Sequence, residues 1–379
     1  MNYRTHIVSS LAEIGAAAWD ALLAAQDKPN PFLSYAFLHA LHESGSAAAD
    51  SGWQPQFIAL YDGDALAAAM PLYVKEHSYG EYVFDWAWAD AYQRHGLDYY
   101  PKLLSAIPFT PVTGPRLMAV DAAARAALIK VLVGTQKASG VSSTHILFPP
   151  DEQARQLADA GFMLRSGVQF HWLNAGYKDF DEFLATLEHK KRKNIRAERR
   201  KVAAAGVTLR RVRGADASEA DWRVFNRCYR HTYAAHHSTP YLNLDFFLRI
   251  GATMPQNILL VIAERDGHPI AASLVIHSAD TLYGRYWGEL EHVPCLHFEA
   301  SYYQPLEFCI EQGIAVFEGG AQGEHKMARG FLPTRTWSAH WLAHPSFADA
   351  IERFLERETG GIDEYLDELN ERNPFRTGK

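Results

Sequence analysis

Between His189 and Arg213 the chain places Lys190, Lys191, Arg192, Lys193, Arg196, Arg199, Arg200, Lys201, Arg210, Arg211 and Arg213, eleven cations against the single acid Glu198. Arg192, Arg196, Arg199 and Arg200 fall at i, i+4, i+7 and i+8, so a helix through them carries their guanidinium groups on one face. Planar guanidinium forks match phosphate oxygens two at a time, which suits a phosphorylated or nucleotide-linked ligand. A merely solvated helix face normally mixes signs, and this one does not. The 379-residue chain nevertheless carries a net charge of −7. An acidic body with one concentrated basic segment points to a local anion site and away from general adhesion to nucleic acid or membrane. Other chemistries lack their patterns: there is no GxSxG elbow and no HExxH pair. Cys228, Cys295 and Cys309 form no CxxC and read as small buried apolar groups. The densest histidine groups, His236–His237 and His292–His297, show no ligand spacing, so no metal site is expected.

The elements that hold these residues are legible from periodicity. The pattern predicts one helix from Asp179 to Ala205 with Phe183, Leu184, Leu187, Ile195 and Val202 on its apolar side. An internal duplication surrounds it. Ile58 to Phe84 aligns without gaps with Ile262 to Gly288, 204 positions later, with nine identities in 27 positions. Asn30 to Leu41 resembles Thr239 to Ile250, and Tyr99 to Leu103 resembles Tyr302 to Leu306. In each repeat an Asp-Gly pair between apolar runs predicts a hairpin, so each half reads as helix, hairpin, third strand, helix. In the second half strands are expected near 257–265, 269–277, 281–287 and 314–318, with a central helix near 297–312. Composition agrees with two globular domains, at 48% hydrophobic and 21% charged residues. The apolar stretch Ala16–Ala25 contains Trp19 and Asp20, which fits neither a secretory segment nor a membrane span, so a cytoplasmic protein is expected.

These residues resemble the bacterial FemAB-like proteins, a group linked to peptidoglycan biosynthesis or recognition. The resemblance is carried by NPFL at Asn30, YGEYVFDWAWADAY from Tyr79, GPR at Gly114, QFHW at Gln169, KKRKNIRAERR from Lys190, LYGRYWG at Leu282 and GGAQGEHKMARGF from Gly319. It implies an α/β chain of two tandem GNAT-like domains with mixed, mostly antiparallel sheets flanked by helices. Residues 1–166 would form a non-catalytic first domain and 167–379 a second domain with the active cleft. It also implies that Arg192 and Arg196 face phosphates and that Lys326 is the active-site lysine. The reaction would transfer an aminoacyl group from transfer RNA to an amine, forming an amide. No segment between Arg192 and Val207 leaves room for the long coiled-coil arm of some Fem ligases.

Amide formation by attack on an ester or thioester needs a neutral amine, a stabilised oxyanion and a held leaving group. Lys326 can stabilise negative charge. His325, Glu318 and Glu324 are candidate proton acceptors, and Tyr286 and Tyr302 candidate proton donors to the leaving group. Arg285 to Gly288 matches the first part of a pyrophosphate loop of the Q/R-x-x-G-x-G/A kind, but Leu290 fills the position where a small residue is wanted. Arg285, Gly288, Glu299, Trp86 and Tyr92 complete the expected substrate-binding set, the last two within a first-domain wall of Tyr82, Asp85, Trp86, Trp88, Asp90 and Tyr92. No bound cofactor is required; acyl-coenzyme A and aminoacyl-transfer RNA are the two donor classes left open, with a small or nucleotide-linked acceptor. The alternatives are an acyl-coenzyme A-dependent N-acetyltransferase, a non-catalytic ligand-recognition protein, and a nucleic-acid-binding module resting on the basic helix alone.

Overall fold

A computed structural model describes residues 3–320 and 323–376. The chain divides into two compact units, residues 1–167 with 335–365 and residues 168–334 with 366–379. The sequence expectation placed 335–365 with the second half; its contacts group it with the first. Among the described residues no helix is long and apolar enough to cross a membrane.

In the first unit, β1 (Arg4–Val8), β3 (Phe57–Asp62), β4 (Ala65–Met70) and β7 (Met118–Ala119) form one antiparallel sheet in that order, while β2 (Trp53–Pro55), β5 (Tyr73–Lys75), β6 (Lys102–Ser105) and β8 (Ser143–Leu147) lie side by side in a second. The first half of the strand Leu332–Leu342 does not belong here, but its residues 338–342 pair antiparallel with β8, from Ser338 opposite Leu147 to Leu342 opposite Ser143. The helix Pro345–Glu371 follows, and its Ile351 and Leu355 pack with Leu342 against Trp88, Tyr92 and Tyr99. That apolar cover is what draws 335–365 back to the first unit. The helices of this unit begin where their sequences say: Ser34 caps α1 (Tyr35–Glu43) through Phe37 N, and Asp121 caps α2 (Ala122–Ser139) through Ala124 N at 2.7 Å. Each such cap stabilises its helix by about 1 kcal/mol.

Here the repeat departs from its alignment. The hairpin Phe57–Met70 forms, but Tyr79 to Tyr82, aligned with a strand of the second half, is a turn in which Gly80 and Tyr82 have φ of 81° and 63°. The segment Tyr99–Leu103, aligned with the central helix, runs into strand β6. The reason is polar: Glu81 and Asp85 turn inward to the buried Lys102 amine at 2.8 and 2.5 Å. Tyr99 Oη donates to Asp85 at 2.7 Å.

In the second unit β9 (Met163–Leu173), β10 (Val207–Arg213), β11 (Ile258–Arg265), β12 (His268–His277), β13 (Thr281–Glu289) and β14 (Val316–Glu318) build a sheet in the order β10-β11-β12-β13-β14-β9. All four strands and the central helix expected for this half are present, within a residue or two of their expected ends. Asp266 and Gly267 at φ 52° and 76° make the tight β11–β12 turn. The expected helix 179–205 is two: α3 (Phe180–Thr186) and α4 (His189–Ala204). Leu187 and Glu188 are extended because their partners lie far along the chain, Leu187 in a bridge with Phe375 and Glu188 N donating to Pro374 O at 3.0 Å. The expected apolar side, Phe183, Leu184, Leu187, Ile195 and Val202, is buried throughout. α5 (Glu219–Ala235) crosses β13 so closely that a Cβ on Gly288 would stand 2.1 Å from Cys228 O. Cys228 and Cys309 are buried and Cys295 half-buried.

Candidate functional site

Strands β13 and β14 are parallel and pair only from Thr281–Val316 to Tyr283–Glu318. Beyond that point they part. On its other side β13 carries a bulge, since Val275 faces Gly284 while Leu274 faces Tyr286, which makes Arg285 the extra residue. A bulge re-aims the side chains that follow it. The helical segment 296–312 runs over this fork, and its turn Glu299–Tyr303 is wound as a π-helix, a rare geometry often found at working sites. The Ser273 hydroxyl donates to Ala300 O at 2.8 Å and fixes that turn. Together these elements enclose a cleft of about 90 Å³ lined by Ser273, Arg285, Tyr286, His297, Ser301, Tyr302 and neighbouring backbone, including Gly319.

After β14 the chain passes Gly319 and Gly320 and enters the turn Glu324–Arg329; Ala321 and Gln322 of the expected motif lie outside the described residues. Glycine suits both positions, because a Cβ on Gly319 would lie 3.1 Å from the Lys326 side chain and Gly320 has a φ of 80°. Lys326 is 2% exposed and donates to Gly320 O at 3.0 Å. Burial pulls its amine down to about 8. The neighbouring His325 is also pushed down, first by burial and then by Arg329 and Lys326, so it is neutral near pH 7. Tyr302 Oη lies 3.4 Å from His325 Nε2, and burial drives the phenol up to about 12, so it keeps its proton. His325 and Lys326 thus share one turn, with Tyr302 within 3.4 Å of His325. Glu318 closes the cluster at the end of β14, 4.0 Å from His171 on β9, whose imidazole is held at about 4 by burial and by the Lys326 charge.

The turn is braced from α4. Arg329 donates to both oxygens of Glu198 at 3.0 and 3.1 Å, and Tyr303 Oη donates to the same carboxylate. Arg329 also covers the Phe298 ring at 3.5 Å and donates to His325 O at 2.9 Å. His171, Arg329 and Glu198 were not singled out from sequence. Their signals were present: QFHW at Gln169, and Glu198 as the one acid inside a basic run.

Several expected binding residues take other places. Gly288 is inside β13, opposite Ala272, and its open side is filled by α5, so Arg285–Gly288 is no pyrophosphate loop. Arg285 instead donates to Tyr286 Oη at 3.2 Å, and both side chains line the cleft. Glu299 is buried and grips Arg199 through two hydrogen bonds of 3.1 Å, with Glu307 completing the clamp at 2.6 Å. That removes Glu299 from ligand contact and Arg199 from the basic face. Arg192, Arg196 and Arg200 remain there with His189 and Lys193, around a hollow of about 280 Å³, Arg196 also reaching Asp181 at 2.8 Å. Glu324 is exposed, 3.3 Å from Arg372. In the first unit Tyr92 and Trp88 are buried core, Asp85 is spent on Lys102, and Asp90 pairs with Arg94 on the surface; of the expected wall, Trp86 is 41% exposed.

A hairpin feeding a bulged strand, a helix over it and a parallel strand that parts from the first define an α/β chain of two GNAT-like halves. The FemAB-like family profile, described as peptidoglycan biosynthesis/recognition, matches residues 10–377, and the chain belongs to that family. Among solved structures, FemX superposes with a TM-score of 0.57 at 12% identity, covering 93% of this chain and 100% of that one. L-PGS from Bacillus licheniformis gives 0.55 at 12% identity, covering 92% and 97%. These likenesses are of fold. No curated protein matches the sequence.

Proposed function

We propose that the second unit transfers an acyl or aminoacyl group from an ester or thioester donor to an amine, forming an amide in peptidoglycan-precursor metabolism. The observation that carries this reading is the cluster of Lys326, His325 and Tyr302 at the fork of β13 and β14. The acceptor nitrogen attacks the donor carbonyl carbon, a C–N bond forms, and the carbonyl electron pair moves to oxygen. His325, neutral near pH 7, takes the proton that the nitrogen sheds. As the oxyanion collapses, the C–O or C–S bond to the leaving group breaks and Tyr302 gives that group a proton, recovering its own from His325. The charged Lys326 amine stabilises the negative charge that builds between these steps. The basic hollow of His189, Arg192, Lys193, Arg196 and Arg200 supports a phosphate-bearing substrate, for which a nucleotide-linked precursor is the fitting class. In this reading the first unit has no catalytic part: of its two buried lysines, Lys102 is committed to two carboxylates, and Lys75 lies over the Trp53 ring and donates to Tyr79 O.

The test is turnover of acetyl-coenzyme A and of aminoacyl-transfer RNAs with a UDP-linked muropeptide as acceptor. Lys326→Ala should lose turnover while retaining a thermal shift with the muropeptide. A wild-type protein that binds the muropeptide but consumes neither donor would refute transfer and leave recognition. Binding that ignores the basic hollow would show as an unchanged affinity in Arg192→Ala/Arg196→Ala.

A further inference from the structure

Glu198 is the one acid in the basic run, and its carboxylate is shared by the two elements that carry His325 and Tyr302. From the turn Glu324–Arg329, Arg329 donates to both of its oxygens at 3.0 and 3.1 Å, and from the π-turn Tyr303 Oη donates to it as well. His325 lies in the first of these elements and Tyr302 in the second, with Nε2 and Oη 3.4 Å apart. That separation is long for a hydrogen bond, so a small change in how the two elements meet would break it. Arg329 is buried; it reaches back to His325 O at 2.9 Å while its guanidinium covers the ring of Phe298, four residues before Tyr302, at 3.5 Å. A carboxylate suits this place, since its two oxygens can accept from several converging donors. Glu198 also stands two residues from Arg196 and from Arg200, which at about 100° a residue puts it on the far side of α4 from them. The hollow lined by Arg192, Arg196 and Arg200 therefore shares one helix with the carboxylate.

Resting on the transferase reading above, we propose that Glu198 is a positioning residue: its carboxylate clamps the His325 turn to the π-turn, sets the spacing across which the proton passes, and ties both to the helix that bears the phosphate-binding arginines. It touches neither substrate nor reacting atoms and takes no proton, so the proton balance stays with His325 and Tyr302. Arg329 and Tyr303 are the two arms of the clamp.

The experiment measures kcat, KM and melting temperature of the full chain and its variants, with acetyl-coenzyme A and aminoacyl-transfer RNAs as donors and the UDP-linked muropeptide as acceptor. A displacement of about 1 Å can cost about 100-fold in rate, so Glu198→Ala should lower kcat by that order. Its KM for the muropeptide should barely move, because the arginines of the hollow are intact. Glu198→Gln keeps one acceptor oxygen and should fall between. Glu198→Leu/Arg329→Met puts apolar groups in place of the ion pair and leaves no charge uncompensated, so it should melt within a few degrees of wild type yet stay as slow as Glu198→Ala. If that double variant folds and turns over within about twofold of wild type, the pair serves stability alone and the proposal is overturned. Tyr303→Phe removes one hydroxyl and keeps the ring, which tests the same clamp even where the carboxylate variants do not fold; kcat should drop about tenfold at unchanged KM, and a wild-type kcat overturns the proposal. A raised KM with unchanged kcat in Glu198→Ala would place Glu198 in ligand binding and overturn it too. A wild type that consumes neither donor sinks the transferase reading and this proposal with it, an outcome distinct from an active wild type with equally active variants.

Discussion

Lys326 shows how burial sets both chemistry and stability at one position. Its folded amine titrates near 8 against an ordinary 10.5, so between those values the unfolded chain holds more protons than the folded one. Stability therefore rises with pH across that window, and the amine disfavours folding below it. Lys326→Met, of similar length without the charge, should raise unfolding free energy at pH 7 by ~2–3 kcal/mol and flatten the rise between pH 8 and 10.5, as followed by urea titration. A less stable variant would show that attraction within the site outweighs desolvation. The kcat profile should fall as pH climbs through about 8, where the stabilising charge is lost; Lys326→Arg, which stays charged, should lack that limb. At this scale the sequence revealed residues inside one contiguous motif or one helix, such as Lys326, His325 and Tyr302. It concealed those whose role is a long-range pairing, as Arg329 with Glu198 or Arg199 with Glu299, because nothing local marks which acid a given arginine will meet.

Elements were most legible where local and tertiary preferences agree. The strands of the second half and its tight Asp266–Gly267 turn follow from alternation and turn chemistry alone. The expected helix 179–205 failed at Leu187, which satisfies helical periodicity and is buried, yet is extended because Phe375 supplies its backbone partner. The first-half copy of the YGxY strand failed for a similar reason, with Glu81 drawn inward to Lys102. Glycines test packing between elements. Gly288→Ala should cost ~3 kcal/mol or prevent folding, because the methyl meets the α5 backbone at Cys228 and neither side can yield cheaply. Gly134→Ala, within α2 with open space around its Cβ, should instead stabilise by ~0.5–1 kcal/mol. Chemical denaturation of the two variants gives opposite signs if the helix–sheet approach is as close as described.

At the scale of the whole chain, the first unit is organised around buried polar groups more than its apolar composition suggests. Lys102 bridges Glu81 and Asp85, while His145 Nδ1 lies 2.7 Å from His340 Nδ1, both rings fully enclosed. Burial holds His145 down at about 3, below its ordinary 6.5, so the unfolded chain gains protons first as pH falls. Stability should therefore drop as pH falls from 6.5 towards 3, and His145→Gln should shallow that slope in a melting series. Lys102→Met leaves two buried carboxylates without their cation and should destabilise by ~3–5 kcal/mol at pH 7, whereas Lys102→Met/Glu81→Gln/Asp85→Asn should recover much of it. The return of residues 335–365 to the first unit was not visible in the sequence, because a repeat alignment says where similar elements lie and not which core they complete. That return also dictates a timetable for the nascent chain. When residue 167 leaves the ribosome, Trp88 and Tyr92 still lack Leu342, Ile351 and Leu355, which are made about 10–30 s later at ordinary elongation rates. Through that interval Trp88 and Tyr92 lack their apolar cover, so the amino-terminal half made alone should expose aromatic surface until synthesis is nearly done.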